Sequence, residues 1–315
     1  MKIVFLDAST LGDVSLAPVE SLGELVCWNT SDPDEALSRV KDCDVLIVNK
    51  VRVTSRLIDA AGNLKLICEA ATGVNNIDLA YAASKGIPVR NVAGYSTESV
   101  VQSTFMHILS LVGRLPYYDG RVKSGEYSRS GLFTDVSLPF HELAGKTMGI
   151  IGMGAIGGRV AEVAKAFGMD VIYYSTSGTS HCTLYPSVSL EKLMTVSDVI
   201  SIHAPLNERT GGLVGAAELA MMKPEAVIVN MGRGGIVDEA ALAAAVDSGQ
   251  IAGAAMDVYS CEPLPEDNPL FRVTRKDRLS LTPHTAWASA EARARLVEGI
   301  AENIRRGWET SGNNL

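Results

Sequence analysis

The stretch TMGIIGMGAIGGRVAEVAKAF, residues 147–167, decides the fold. It begins as an apolar strand, breaks at Gly152, and resumes as a helical pattern running to Phe167. Gly152, Gly154 and Gly157 stand in the turn at the spacing GxGxxG. The first permits a tight turn, the second lets the backbone approach a pyrophosphate, and the third lets helix and strand pack closely. Ala155 and Ile156 open the helix, whose N-terminus offers unpaired N–H groups to an anion. Strand, glycine turn and helix in that order predict dinucleotide binding.

The same alternation continues outward on both sides. Toward the C-terminus come DVIYYS (170–175), DVISIH (198–203), EAVIVN (225–230), AGAAMDV (252–258) and RLSLTP (278–283), separated by helical patterns. Toward the N-terminus an earlier block reads KIVFLD (2–7), DVLIVN (44–49), LKLICEA (64–70) and PVRNV (88–92). Helices are predicted over 33–40, with Asp32 as cap and Pro33 in the first turn, and over 55–61, between Thr54 and Gly62. Near-continuous apolar strands alternating with helices imply parallel sheets covered on both faces. Two such blocks in 315 residues imply two α/β domains hinged near 92–100, where a long helix begins. Residues 116–142 are rich in Gly, Ser and Tyr without periodicity and read as a functional loop or assembly arm. A last helical pattern covers 289–308.

Composition narrows the function. With 47% hydrophobic and 20% charged residues the chain is neither disordered nor fibrous. Lys+Arg of 28 against Asp+Glu of 36 gives −8 without a run of like charge, so neither nucleic acid nor an anionic membrane is an expected partner. Apolar runs are broken by Gly or Asp well before the ~18 residues a bilayer needs, and the N-terminus turns acidic too soon for a signal peptide. Cys27, Cys43, Cys68, Cys182 and Cys261 contain no CxxC pair. They are expected to be thiols in a reducing cytoplasm, with no metal.

The chemistry lies at the carboxyl ends of the strands, where open parallel sheets bind ligands. Ser175 and Thr176 stand where an acidic residue commonly binds the ribose of NAD. With no carboxylate there to repel a 2′-phosphate and no arginine to attract one, NAD and NADP both remain open. Arg233 follows AVIVNMG, Asp257 ends AGAAMD, Glu262 comes five residues later, and His284 closes LSLTPH. Hydride transfer between nicotinamide and a 2-oxo acid needs a cation to grip the carboxylate and polarise the ketone, and an acid to protonate the new alkoxide. Arg233 suits the first task through its planar fork. His284 suits the second, since free histidine titrates near ~6.5 and a neighbouring Glu262 favours the imidazolium. His107 reads as a packed or interface residue, His141 and His181 as loop residues, and His203 as shaping the cofactor loop. Trp287 touches either substrate or a partner subunit.

Seven segments together resemble the D-isomer-specific 2-hydroxyacid dehydrogenases along nearly the whole chain. They are ATGVNNID (71–78), NVAGYSTESVVQ (91–102), GIIGMGAIGGRVA (149–161), SIHAPLNERTGGLV (201–214), NMGRGGIVDEAAL (230–242), MDVYSCEPLPEDNPL (256–270) and TPHTAWAS (282–289). The resemblance implies an α/β protein of two doubly wound parallel-sheet domains. One is a Rossmann cofactor domain over 98–285; the other is a smaller flavodoxin-like substrate domain from 1–97 plus 286–315. It implies Arg233, Glu262 and His284 as the catalytic set and Asp257 on the nicotinamide carboxamide. The substrate carboxylate falls to Thr72, Gly73 and Val74, with Arg233 and His284. Ala204, Pro205, Met231, Gly232 and Thr104 line the cofactor, NAD(H) or NADP(H); since Ser175 and Thr176 can bond a ribose hydroxyl but supply no cation, selectivity is expected to be weak with a slight lean to NAD.

The segments are most similar to the glycerate dehydrogenase (hydroxypyruvate reductase) branch, so reduction of hydroxypyruvate or glyoxylate is expected. D-lactate and phosphoglycerate dehydrogenases are the enzymatic alternatives, although 315 residues leave no room for the regulatory C-terminal domain of many of the latter. A non-catalytic, NADH-sensing corepressor-like protein is the alternative from another class. A formate dehydrogenase is disfavoured because Glu262 is present. A homodimer is expected through the helix from 97 and the 116–142 arm. Their Phe105, Leu115, Tyr117, Tyr118, Leu132 and Phe133 exceed what one helix and loop need internally.

Overall fold

Ile3 and Phe5 face one apolar core and Val4 and Leu6 another, so the first strand is buried on both sides. A period of two with no polar face is the signature of a parallel sheet between two helical layers. The computed structural model describes residues 1–179 and 182–307; His181 and Trp308 lie outside the described residues. Two compact units are present, Met1–Ser96 with the chain from Trp287, and Thr97–Ala286.

The first unit runs β1 (Lys2–Phe5), α1 (Ala17–Glu20), β2 (Glu24–Cys27), α2 (Pro33–Arg39), β3 (Val45–Val48), α3 (Ser55–Ala60), β4 (Leu66–Glu69), α4 (Leu79–Ser84) and β5 (Val89–Arg90). The strands are parallel in the order β2-β1-β3-β4-β5, the flavodoxin-like arrangement. The start of α2 is set by a capping box: Asp32 accepts from the Asp34 and Glu35 N–H groups while Glu35 accepts from the Asp32 N–H. Sequence patterning missed β2. Its ELVC is an edge strand with no fully buried residue, bonded only to β1, so no apolar run announces it.

The second unit opens with α5 (Thr97–Val112), α6 (Leu115–Lys123) and α7 (Glu126–Ser130). A sheet follows from β6 (Thr147–Ile151), α8 (Ala155–Ala166), β7 (Asp170–Tyr174), α9 (Leu190–Val196), β8 (Val199–Ile202), α10 (Ala216–Met221), β9 (Val227–Asn230), α11 (Glu239–Ser248), β10 (Gly253–Met256) and β11 (Leu279–Leu281). Strand order is β11-β10-β9-β8-β6-β7, and a parallel bridge between Tyr173 and Ser187 extends the sheet past β7. The winding reverses between β6 and β8, the place where such sheets bind ligands. Gly152 follows β6 there.

Two expectations need correcting in this unit. The 116–142 stretch is not a bare loop, because it contains most of α6 and all of α7. Gly120, Gly125 and polar side chains had hidden their periodicity. Phe105 is not an exposed interface residue either: it is buried and stacks on Phe167 with ring centroids 5.5 Å apart. The chain then returns to the first unit as α12 (Ala290–Arg305). Its Ala292, Leu296, Val297, Ile300 and Ile304, at three- and four-residue steps, share a core with Ile3, Phe5, Val45 and Leu66.

Candidate active site

The glycine turn is shaped by what surrounds it. Gly152 has φ +94°, and a side chain there would meet the Ala204 backbone nitrogen at 2.8 Å. A side chain at Gly157 would collide with the Gly152 carbonyl. Gly154 faces open space, and no side chain caps α8, so the N–H groups of Ala155, Ile156 and Gly157 form an uncovered helix N-terminus. These residues fit a dinucleotide pyrophosphate. Neighbouring loops close around the turn. Ala204 and Met231 are buried beside it, and a side chain at Gly232 would stand 2.9 Å from the Ala204 carbonyl. The Pro205 carbonyl accepts from Thr210 Oγ1 at 2.6 Å, which pins the turn after β8.

Gly234 brings the Arg233 loop against the loop after β10. A side chain there would run into the Tyr259 carbonyl, so the two backbones touch. The Arg233 loop is held by Asn230, whose Nδ2 donates to the Arg233 carbonyl at 2.9 Å while its Oδ1 accepts from the Gly232 N–H at 3.0 Å. Arg233 Nη1 donates to the Gly232 carbonyl at 2.9 Å. The guanidinium is half-buried.

On the facing loop Glu262 Oε1 accepts from the Tyr259 N–H at 2.9 Å, and Oε2 lies 2.6 Å from His284 Nδ1. Tyr259 donates its hydroxyl to the Thr282 carbonyl at 2.9 Å, and burial pushes its phenol up to about 12. His284 has φ +55°, a left-handed conformation rare for a residue with a side chain. Its N–H donates to the Asp257 carbonyl at 2.8 Å. Among the described residues no hydrogen bond engages Nε2, the ring nitrogen opposite Glu262.

Asp257 is buried, and its carboxylate accepts from the Thr285 N–H at 2.8 Å, the Ala286 N–H at 2.9 Å and Thr282 Oγ1 at 2.7 Å. Three of its four acceptor positions therefore hold the loop that carries His284. His107 joins the same cluster from α5, with Nδ1 2.8 Å from Ser280 Oγ and Nε2 3.3 Å from Thr282 Oγ1. Burial pushes His107 below the ordinary histidine value, partly opposed by the Asp257 charge. Asp257, Thr282 and His107 thus buttress His284. Sequence spacing showed no link among them, since they come from three elements.

Other expected residues are placed differently. Thr104 is fully buried in α5 and donates its hydroxyl to the Val100 carbonyl at 2.7 Å, so it offers no open surface to a cofactor. His203 Nε2 lies 2.7 Å from Ser201 Oγ, and burial pushes the ring down to about 3, which leaves it neutral beside the Ala204 turn. Ser175 donates its hydroxyl to the Thr179 carbonyl at 2.7 Å. An arginine does serve this loop, contrary to the reading from local sequence: Arg209 Nη1 donates to the Ser177 carbonyl at 2.6 Å, 32 residues further along the chain.

Thr72, Gly73 and Val74 lie in the first unit, after β4. Their N–H groups donate to no acceptor among the described residues, while Asn91 Nδ2 donates to the Thr72 carbonyl at 2.5 Å. Glu69, which sequence reading passed over, is buried at the end of β4 and accepts from Asn76 Nδ2 at 3.0 Å. Burial pushes its carboxyl up to about 8. Among the described residues no group of His, Cys, Asp or Glu could hold a metal ion, and no helix is long and apolar enough to cross a membrane.

A doubly wound sheet with a glycine turn at its switch point, and an Arg, Glu and His at the same edge, defines a nicotinamide-dependent oxidoreductase. The family profile "D-isomer specific 2-hydroxyacid dehydrogenase, NAD binding domain" matches residues 105–286, and the chain belongs to that family. It is 34% identical to a hydroxypyruvate reductase of Blautia hydrogenotrophica over 100% of this chain and 99% of that protein. It is 35% identical to a glycerate dehydrogenase of Methylorubrum extorquens, over 96% of this chain and 95% of the relative. Among solved structures it is similar to a D-lactate dehydrogenase of Aquifex aeolicus complexed with NAD and lactic acid (TM-score 0.83, 28% identity, 97% of this chain and 94% of that one). An NADPH-dependent glyoxylate/hydroxypyruvate reductase of Sinorhizobium meliloti, in complex with NADP and malonate, is similar too (TM-score 0.82, 28% identity, 99% and 94%).

Proposed function

We propose that this protein reduces hydroxypyruvate or glyoxylate to the corresponding 2-hydroxy acid with NADH or NADPH. The observation that carries the reading is the 2.6 Å contact between His284 Nδ1 and Glu262 Oε2, on a loop packed against that of Arg233. The names of the relatives, hydroxypyruvate reductase and glycerate dehydrogenase, point the same way.

When bound, the reduced nicotinamide supplies the hydride. Gly152, Gly154, Ala155, Ile156 and Gly157 would hold the pyrophosphate, Ser175 and Thr176 would meet the adenosine ribose, and Ala204, Pro205, Met231 and Gly232 would line the rest of the cofactor. Thr104 is not among them. Thr72, Gly73 and Val74, whose N–H groups have no acceptor among the described residues, are the proposed carboxylate-binding residues of the first unit. Arg233 would pair with a substrate carboxylate and draw electron density from the carbonyl. Glu262 fixes the imidazole through Nδ1, which leaves Nε2 to give its proton to the carbonyl oxygen. Asp257 keeps the His284 loop in place, and its remaining acceptor position is available to the carboxamide.

The working form is a dimer of identical chains. Met106, Leu109, Leu115, Val122, Leu132, Phe133, Val136 and Phe140 are all exposed on α5 and the segment after it, and a second copy is the occupant that covers them. Among the described residues no disulfide is present, which suits a reducing cytoplasm. The test is oxidation of NADH and NADPH with hydroxypyruvate, glyoxylate and pyruvate in turn. Turnover fastest with hydroxypyruvate or glyoxylate is expected; turnover with none of the three contradicts the reading.

A further inference from the structure

The loop after β7 begins beside the glycine turn, because the Gly152 N–H donates to the Tyr174 carbonyl at 3.1 Å. In a Rossmann unit the residues that follow this strand meet the adenosine ribose, and they separate a 2′-hydroxyl from a 2′-phosphate. Ser175 supplies no carboxylate there. A cation arrives from the turn after β8, where Arg209 reaches across to the Ser177 carbonyl at 2.6 Å. Gly178, with φ +78°, leaves room for it: a side chain at that position would stand 3.3 Å from Arg209 Nη1.

Arg209 is held ready on its own side. Its N–H donates to Asn207 Oδ1 at 2.9 Å, and the Asn207 N–H donates to Thr210 Oγ1 at 2.9 Å. The guanidinium is exposed and, among the described residues, no carboxylate lies within ion-pair distance of it. An open cavity of about 350 Å³ is lined by Thr176, Ser177, Asn207, Glu208 and Arg209. Glu208 brings a negative charge to this cavity, but no hydrogen bond anchors it to the 175–179 loop as one anchors Arg209.

We propose that Arg209, with the Thr176 hydroxyl, binds the 2′-phosphate of NADP(H) and makes this chain prefer NADP(H) to NAD(H). The inference rests on the nicotinamide-cofactor reading above. It departs from the expected weak selectivity with a slight lean to NAD, which took the loop to lack a cation. A guanidinium already anchored to the loop meets a dianionic phosphate with its remaining N–H donors at little ordering cost.

The test is equilibrium binding of NADPH and NADH to the full-length protein by nicotinamide fluorescence, with adenosine 2′,5′-bisphosphate and 5′-AMP as competitors. Wild type should bind NADPH and the bisphosphate more tightly than NADH and AMP. Arg209→Ala should weaken NADPH by about tenfold or more while NADH stays within about twofold, and Arg209→Lys should recover part of the loss. Equal effects of Arg209→Ala on both cofactors, or none on NADPH, would overturn the proposal and leave the cofactor reading intact. Failure of wild type to bind either cofactor would overturn both.

Discussion

Glu262 engages both carboxylate oxygens, one on the Tyr259 N–H at 2.9 Å and the other on His284 Nδ1 at 2.6 Å. The first bond holds the carboxylate still, and the second sets which ring nitrogen faces outward. Replacing it by Gln keeps the length and removes the carboxylate that holds Nδ1. If this ring is the proton donor, as proposed, Glu262→Gln should lower kcat for 2-oxo acid reduction by about tenfold or more while cofactor binding is retained. An unchanged kcat would mean that Glu262 does not position the proton donor. At this scale the proposed catalytic residues stood out in the sequence, because Arg233, Glu262 and His284 each close an apolar strand or follow one closely. Thr104 misled since a helix residue's hydroxyl can turn back on its own backbone, as it does to Val100. Arg209 was hidden because a contact 32 residues distant leaves no local signal.

Between elements, the active loops are fitted backbone to backbone. The contact of Gly234 with the Tyr259 carbonyl keeps the Arg233 loop against the loop carrying Glu262. Gly234→Ala has no flexible side chain to displace, so the loops must part. It should cost about 2 kcal/mol or more and lower kcat/KM for 2-oxo acid reduction. Thermal unfolding and steady-state kinetics check this, and a variant with wild-type Tm and kcat/KM would contradict the docking. Strands with continuous apolar runs, such as VLIV in β3 and VIVN in β9, were legible because every side chain is buried. β2 and the two short helices after α5 were not, because they are exposed and their pattern is carried by few residues.

For the molecule as a whole, pH and association are the informative variables. Glu69 is raised from 4.5 to about 8 by burial, so between those values the folded chain keeps a proton that the unfolded chain has released. Stability from this group falls as pH rises through that window. Glu69→Gln removes the dependence, and in urea unfolding its stability relative to wild type should grow with pH, by at most about 1.4 kcal/mol per pH unit. A difference independent of pH would show that Glu69 does not titrate in the window. Association follows from the exposed apolar segment, with Phe133 at 96% exposure its extreme. Light scattering at micromolar concentration should give twice the chain mass, and Phe133→Asp should shift it toward one chain. A wild-type mass of one chain would contradict the dimer. The two-sheet architecture was legible from alternating apolar runs, whereas burial of a carboxyl such as Glu69 depends on packing that no local pattern encodes.

The most direct test is kcat for hydroxypyruvate reduction by His284→Ala beside wild type, each at saturating reduced cofactor and substrate. Loss of the proton donor should lower kcat by about 10²–10⁴ while cofactor binding is retained. A variant within about tenfold of wild type would show that the proton comes from elsewhere, and that the Glu262–His284 pair is not the acid.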